Sequence, residues 1–149
     1  MKVSDLLWMP TGKRIPRELF IRLVIESKAS SKEYFEGEDW YLGNTPRQGI
    51  HWIKAKEGHF KAAIVKIIGN SYTDRFLTAD QEVLYYHLKA QNGRVNRNES
   101  ANVALIEQPN YGYPVLVLDG SSTDDWIYLG RYEVINDHGE AVTLRRMHG

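Results

Sequence analysis

The apolar residues of this chain fall in short runs, most of them too short and too β-branched for helices. Ala62 to Ile68 is a nearly continuous apolar run ending in the loop Gly69-Asn70-Ser71-Tyr72-Thr73-Asp74. Val83 to Ala90 is a second run and carries the doublet Tyr85-Tyr86. Both have strand length and are bounded by turn formers. Ile50 to Ala55 and Val115 to Leu118 read as shorter strands. From Trp126 to Val134 the pattern alternates, with Trp126, Tyr128, Gly130, Tyr132 and Val134 on one side. Asn136-Asp137-His138-Gly139 then turns the chain into a last strand, Glu140 to Met147, forming a hairpin. Helical spacing shows mainly at Leu19, Phe20, Leu23 and Val24. It predicts a helix from about 16 to 29, with Pro16 at its first position and the chain leaving it by Ser31, lying as a lid on a sheet. Ser100 is placed to cap a short helix running to Glu107, and Pro109 to Pro114 reads as a turn around Gly112.

The remaining stretches are polar and punctuated. Residues 32 to 49 are irregular, and Gln91 to Ser100 read as a flexible, positively biased loop. Strands outnumber helices about three to one on this reading. The expected class is therefore α+β, mainly β: a bent sheet or open barrel with flanking helices. One domain over 1–149 is the default at this length. Within it, 1–15 reads as an arm, 16–31 as the helix and 49–147 as the β-rich core.

Composition narrows the function more than the fold. Nineteen basic and nineteen acidic residues cancel, which argues against a uniformly basic nucleic-acid binder but leaves room for one basic face. The chain has no cysteine, so neither a disulfide framework nor a thiolate metal site is expected, and a cytoplasmic setting fits. The segment MKVSDLLWMP has too short an apolar part for a signal peptide, and no run is long enough to span a bilayer. The five histidines are scattered without ligand spacing, so no metal is expected. There is no phosphate-binding glycine loop, no nucleophile elbow and no nuclease constellation. No cofactor and no catalytic role are expected.

What remains is aromatic and basic. Tyr72 in a tight loop and a tyrosine from the Tyr85-Tyr86 strand could sandwich one planar group such as a base; with nine tyrosines in the chain, plain packing is the competing role. Arg47 and Gln48 sit in a loop from which they can bond a phosphate or a base edge, and Arg94 and Arg97 lie in the basic loop beyond the second strand.

In sequence order, four blocks carry a more specific signal. They are Ala62-Ala63-Ile64-Val65 with Gly69 to Asp74; Tyr85-Tyr86 leading to Gln91-Asn92-Gly93; Asn102-Val103-Ala104-Leu105; and Tyr113-Pro114-Val115-Leu116-Val117 with Trp126 to Val134. Together they resemble the SRA domain, a member of the PUA-like superfamily, as in the modified-DNA-sensing modules of modification-dependent restriction enzymes. The resemblance covers about residues 49 to 135 and leaves the first 45 unaccounted for. It implies a module that binds double-stranded DNA and flips a modified cytosine into an aromatic pocket, with any nuclease activity in another domain or chain. Tyr72 matches the first stacking tyrosine and Asp74 the reader of the base edge. Tyr85 and Tyr86 compete for the second stacking role. A single Asp74 followed by Arg75 departs from the family's acidic pair, so 5-methylcytosine and 5-hydroxymethylcytosine both stay open. The alternatives are a PUA-like RNA- or nucleotide-binding domain, and a protein-interaction module without nucleic-acid binding.

Overall fold

A computed structural model describes residues 3–26, 40–45, 48–55, 58–69, 71–122 and 124–148. A 3₁₀ turn, Val3–Trp8, leads to β1 (Arg14–Pro16) and α1 (Arg17–Glu26). The strands β2 (Trp40–Gly43), β3 (Ile50–Ala55) and β4 (Phe60–Ile67) follow as an antiparallel meander. Next come β5 (Arg75–Phe76), β6 (Val83–His87), the small hairpin β7 (Ala90–Gln91) and β8 (Arg94–Val95), and the helices α2 (Ser100–Ile106) and α3 (Gln108–Tyr111). The strands β9 (Val115–Asp119), β10 (Asp125–Asp137) and β11 (Ala141–Arg146) close the chain.

Nine of these strands form one sheet in the order β2-β3-β4-β9-β10-β11-β6-β5, with β1 on β10. Among the described residues only β4 and β9 pair in parallel, which demands a long crossover, here everything from β5 to α3. Three strands separate β4 from β6 in this order, yet the Tyr86 hydroxyl on β6 donates to the carbonyl of Lys66 on β4 (3.1 Å) and to that of Gly49 (3.3 Å). The sheet therefore curls until β6 comes back against β4 and the residue before β3 across this seam. It is bent and unclosed, as the sequence pattern led one to expect.

Both faces of the central strands are covered. Ala63, Val65 and Ile67 of β4 point into a layer inside the curl with Val115, Val117 and the α2 residues Ala101, Ala104 and Leu105. Ala62 and Ile64 point the other way, against Leu116, Leu118 and the helix residues Phe20 and Leu23. Strands buried on both faces lose polar alternation, which is why Ala62 to Ile68 reads as a nearly unbroken apolar run.

Four expectations need correction. The first residues are not an arm: Val3, Leu6, Leu7 and Ile15 are buried in the outer layer, because the 3₁₀ turn sets the first three on one side and β1 pairs with β10. Pro16 does not open the helix; it ends β1 opposite Asp125, an edge position that tolerates its missing N–H. Residues beyond 26 of the expected helix lie outside the described residues. The expected turn at Pro109 includes the short helix α3, closed by Gly112 in the left-handed region (φ 73°). Finally, β10 does not keep one face. A bulge between Tyr128 and Gly130 shifts its register on β9, and Gly130 takes φ 126° there. One extra residue exchanges the faces of a strand. Trp126 and Tyr128 thus enter the outer layer, whereas Tyr132 and Val134 enter the inner one.

His51 on β3 ties this outer layer to pH. It is 1% exposed and makes a 2.9 Å hydrogen bond through Nε2 to the Thr45 carbonyl. A carbonyl only accepts, so Nε2 carries the proton. Burial, with the Lys66 charge adding, pushes its pKa down to about 4 despite that bond. The unfolded chain therefore takes up a proton near the usual pH 6.5 that the folded chain refuses. The resulting stability is complete above pH 6.5 and is lost as pH falls towards 4, up to about 3 kcal/mol. Urea unfolding at pH 7 and pH 4.5 should show that slope, and His51→Gln should flatten it.

Candidate nucleic-acid interface

The loop between β4 and β5 is shaped by Ser71. Its backbone N–H donates to the Asp74 carbonyl (2.8 Å), and its hydroxyl accepts from the Asp74 N–H (3.0 Å). This reciprocal tie, a local side-chain competitor to regular structure, fixes where Asp74 leaves the loop. The Asp74 carboxylate then accepts the backbone N–H of His87 on β6 (2.9 Å). Burial raises its pKa, and the His87 bond opposes the shift.

Register decides which tyrosine belongs with Asp74. On β5 and β6, Arg75 pairs with Tyr85 and Phe76 with Leu84. Side chains alternate along a strand, so Asp74 falls on the Tyr86 side and Arg75 on the Tyr85 side. The electrostatics agree: burial first, and the nearby Asp74 charge second, push the Tyr86 hydroxyl far above its ordinary pKa. Tyr86 is 4% exposed and packs in the inner layer. A Cβ at residue 49 would stand 3.0 Å from its hydroxyl, so Gly49 lets the seam close.

Tyr85 has other company. The Arg75 guanidinium lies 4.6 Å from its ring centroid and 5.8 Å from that of Tyr72, and Arg75 also donates to the Tyr72 carbonyl. His138, itself hydrogen-bonded to Thr143 (2.7 Å), has its ring 5.9 Å from that of Tyr85. The two adjacent tyrosines therefore serve opposite faces of the sheet, and only Tyr86 shares the face of Asp74. Tyr72 itself is 90% exposed.

The basic candidates separate as well. Gln48 is half-buried beside the seam, its N–H donating to the Thr45 carbonyl (3.1 Å); Arg47 lies outside the described residues. Arg94 is exposed on β8. Arg97, expected to face nucleic acid, is engaged elsewhere: its guanidinium grips the Asp137 carboxylate (2.5 and 3.0 Å) and the Gly139 carbonyl (2.6 Å). That bidentate pair holds the Asp137 carboxyl below the usual carboxylate range and ties the segment after β8 to the final hairpin.

Sequence reasoning missed two supporting residues. Asn102 is fully buried, accepts the Lys89 N–H (2.7 Å) and donates to the carbonyls of Lys89 and Asn96. It pins the chain just past Tyr86; its place in the Asn-x-Ala-Leu block was the available signal. Lys66 is half-buried with its ammonium 4.3 Å over the Trp126 ring, and burial lowers its pKa. Nothing in its sequence setting marks it. Among the described residues no group of three or more His, Asp or Glu side chains is placed to hold a metal ion, and no helix is long and apolar enough to cross a membrane.

No family model matches the chain, and no curated protein matches it either. Solved structures do. One is the SUVH5 SRA domain in a complex with methylated CHH DNA, 25% identical over 70% of this chain and 76% of that one, with a TM-score of 0.51. The chain is SRA-like. The same SUVH5 domain with fully methylated CG DNA gives 27% identity over 70% and 76%, with a TM-score of 0.49. KRYPTONITE, in complex with mCHH DNA, an H3(1-15) peptide and SAH, gives 17% over 95% of this chain and 32% of that one, with a TM-score of 0.48. The assignment of this SRA-like domain rests on the first of them and agrees with the bent, mainly β sheet.

Proposed function

We propose that this SRA-like domain binds double-stranded DNA carrying a modified cytosine and stacks the extruded base on Tyr72, with Asp74 at its Watson–Crick edge. The observation that carries the reading is the placement of Asp74: half-buried, held by the His87 N–H, and on the same face as Tyr86. It is joined to the likeness to an SRA domain in complex with methylated DNA. A carboxylate accepts from the exocyclic amino group of cytosine. Inside the helix stack that edge is hidden, so reading it alone requires extrusion, at a cost of a few kcal/mol that stacking and edge bonds must offset. A methyl group adds only about 0.8 kcal/mol by burial, so pocket shape must supply the rest of the selectivity. In this reading the buried Tyr86 braces the strand that holds Asp74, and the exposed Tyr72 is the wall that closes on the base. Arg94 and Gln48 contact the DNA from outside the pocket, and any strand cleavage belongs to another domain or chain.

Asp74→Asn tests the edge reader. The amide oxygen can still accept the His87 N–H, but the charge is gone. The native carboxyl has a raised folded pKa, so folding penalises its ionised form, and native stability falls as pH rises through that value. The variant should therefore melt at or above the wild-type temperature at pH 7, and the difference should vanish below the ordinary carboxyl value of 3.8. Its affinity for the modified-cytosine duplex should fall, because the charged acceptor for the exocyclic amino group is gone. A duplex with 2-aminopurine beside the modified cytosine should brighten on binding as the base unstacks; no brightening at saturation would refute extrusion.

A further inference from the structure

One concave site shares none of these residues. The β3–β4 turn and the α2–α3 corner enclose a cavity of about 310 Å³ whose lining includes His59, Phe60, Glu107, Tyr111 and Tyr113. Its walls are aromatic. The Tyr113 hydroxyl donates to the Ala104 carbonyl (2.6 Å), which fixes the ring. Phe60 meets it with centroids 5.7 Å apart and planes at 45°, making a corner. Tyr111 is 73% exposed, although large apolar groups on a folded domain are usually covered.

The charge in the cavity is acidic. The Glu107 carboxylate takes one hydrogen bond from Asn110, on Oε2 (3.1 Å). Its charge, after burial, helps push the Tyr113 hydroxyl up. Outside the lining, the Lys54 ammonium already lies 5.0 Å from the Phe60 ring centroid, so this ring takes a cation on its face.

We propose that the cavity binds a trimethylammonium group on an aliphatic stem, the chemistry of a trimethylated lysine side chain. Aromatic faces attract a cation through their quadrupoles but offer no hydrogen-bond acceptor, so they favour a weakly hydrated, methylated ammonium over a plain one. The carboxylate completes the charge match, and the exposed Tyr111 is the wall that closes on the ligand. This inference is independent of the DNA-binding reading.

The test is an NMR titration of the full chain with three probes: N-acetyl trimethyllysine amide, the unmethylated lysine amide, and the neutral carbon isostere in which a tert-butyl group replaces the trimethylammonium. Trimethyllysine should shift the resonances of Tyr111, Tyr113 and Glu107 and bind at least about tenfold more tightly than either control. Tyr111→Ala should weaken it by on the order of tenfold without changing the melting temperature, since that side chain is exposed, and Glu107→Gln should weaken it with the rings intact. Equal binding of the isostere, or no shift at these residues, would overturn the proposal.

Discussion

Tyr72→Ala is expected to weaken binding to a modified-cytosine duplex by an order of magnitude or more while leaving the fold as stable as before. The two halves of that expectation come from different observations. Tyr72 is 90% exposed, so little folding energy depends on burying its ring. Base–aromatic stacking is worth roughly 1–3 kcal/mol per base, which is about 5- to 150-fold in affinity. Contacts to phosphate do not involve the ring, so binding to unmodified DNA should change little. Tyr72→Phe keeps the stacking face and should be nearly silent. Equilibrium titrations on matched duplexes, with thermal melts of each variant, check all three outcomes. Equal loss on every duplex would make Tyr72 a general contact rather than a wall of the base pocket.

Tyr86→Ala should have the larger effect on stability. The side chain is 4% exposed and sits in the inner layer, so removing it should cost about 3–5 kcal/mol. Total stabilities of about 5–15 kcal/mol leave little after such a loss. Tyr86→Phe is the informative variant. It keeps the ring but removes the hydroxyl that bridges β6 to the carbonyls of Lys66 and Gly49. The Gly49 carbonyl keeps a second donor, the Lys66 N–H (2.9 Å). The net cost should therefore be about 1 kcal/mol, the ordinary worth of a hydrogen bond. Urea unfolding measures it. An unchanged midpoint would mean that the hydroxyl does not hold the seam. Because the ring is retained, Tyr86→Phe should still discriminate modified from plain cytosine.

The strands were legible because their signals are local. The Ala62 run and the Trp126 stretch each became a strand, and the expected last hairpin formed, although Asn136 and Asp137 belong to β10 and its turn lies at His138 to Glu140. The β7–β8 hairpin was legible too, but its Asn92-Gly93 turn was taken for part of a flexible loop. Both residues have positive φ, 54° and 76°, as a two-residue hairpin turn requires. Other features had no local signal. A bulge changes the face of β10 with a single extra residue, and alternation in sequence continues straight through it. The burial of Val3 and Leu6 depends on β1 pairing with a strand more than a hundred positions away. Which of Tyr85 and Tyr86 shares the face of Asp74 needed the register of β5 on β6, since adjacent residues on a strand are equivalent until one face is assigned. Arg97 looked free because its partner, Asp137, is forty residues further on. The resemblance placed Tyr72 and Asp74 in one loop; the fold brings that loop to β6 through the His87 N–H.

The most direct measurement is the affinity of the full chain for matched duplexes that differ only in cytosine modification, at one salt concentration, with a single-stranded RNA of the same sequence beside them. The account predicts tighter binding to a duplex carrying a modified cytosine than to the plain duplex, and weaker binding to the RNA. Equal affinity for plain and modified duplexes, or a preference for the RNA, would contradict it.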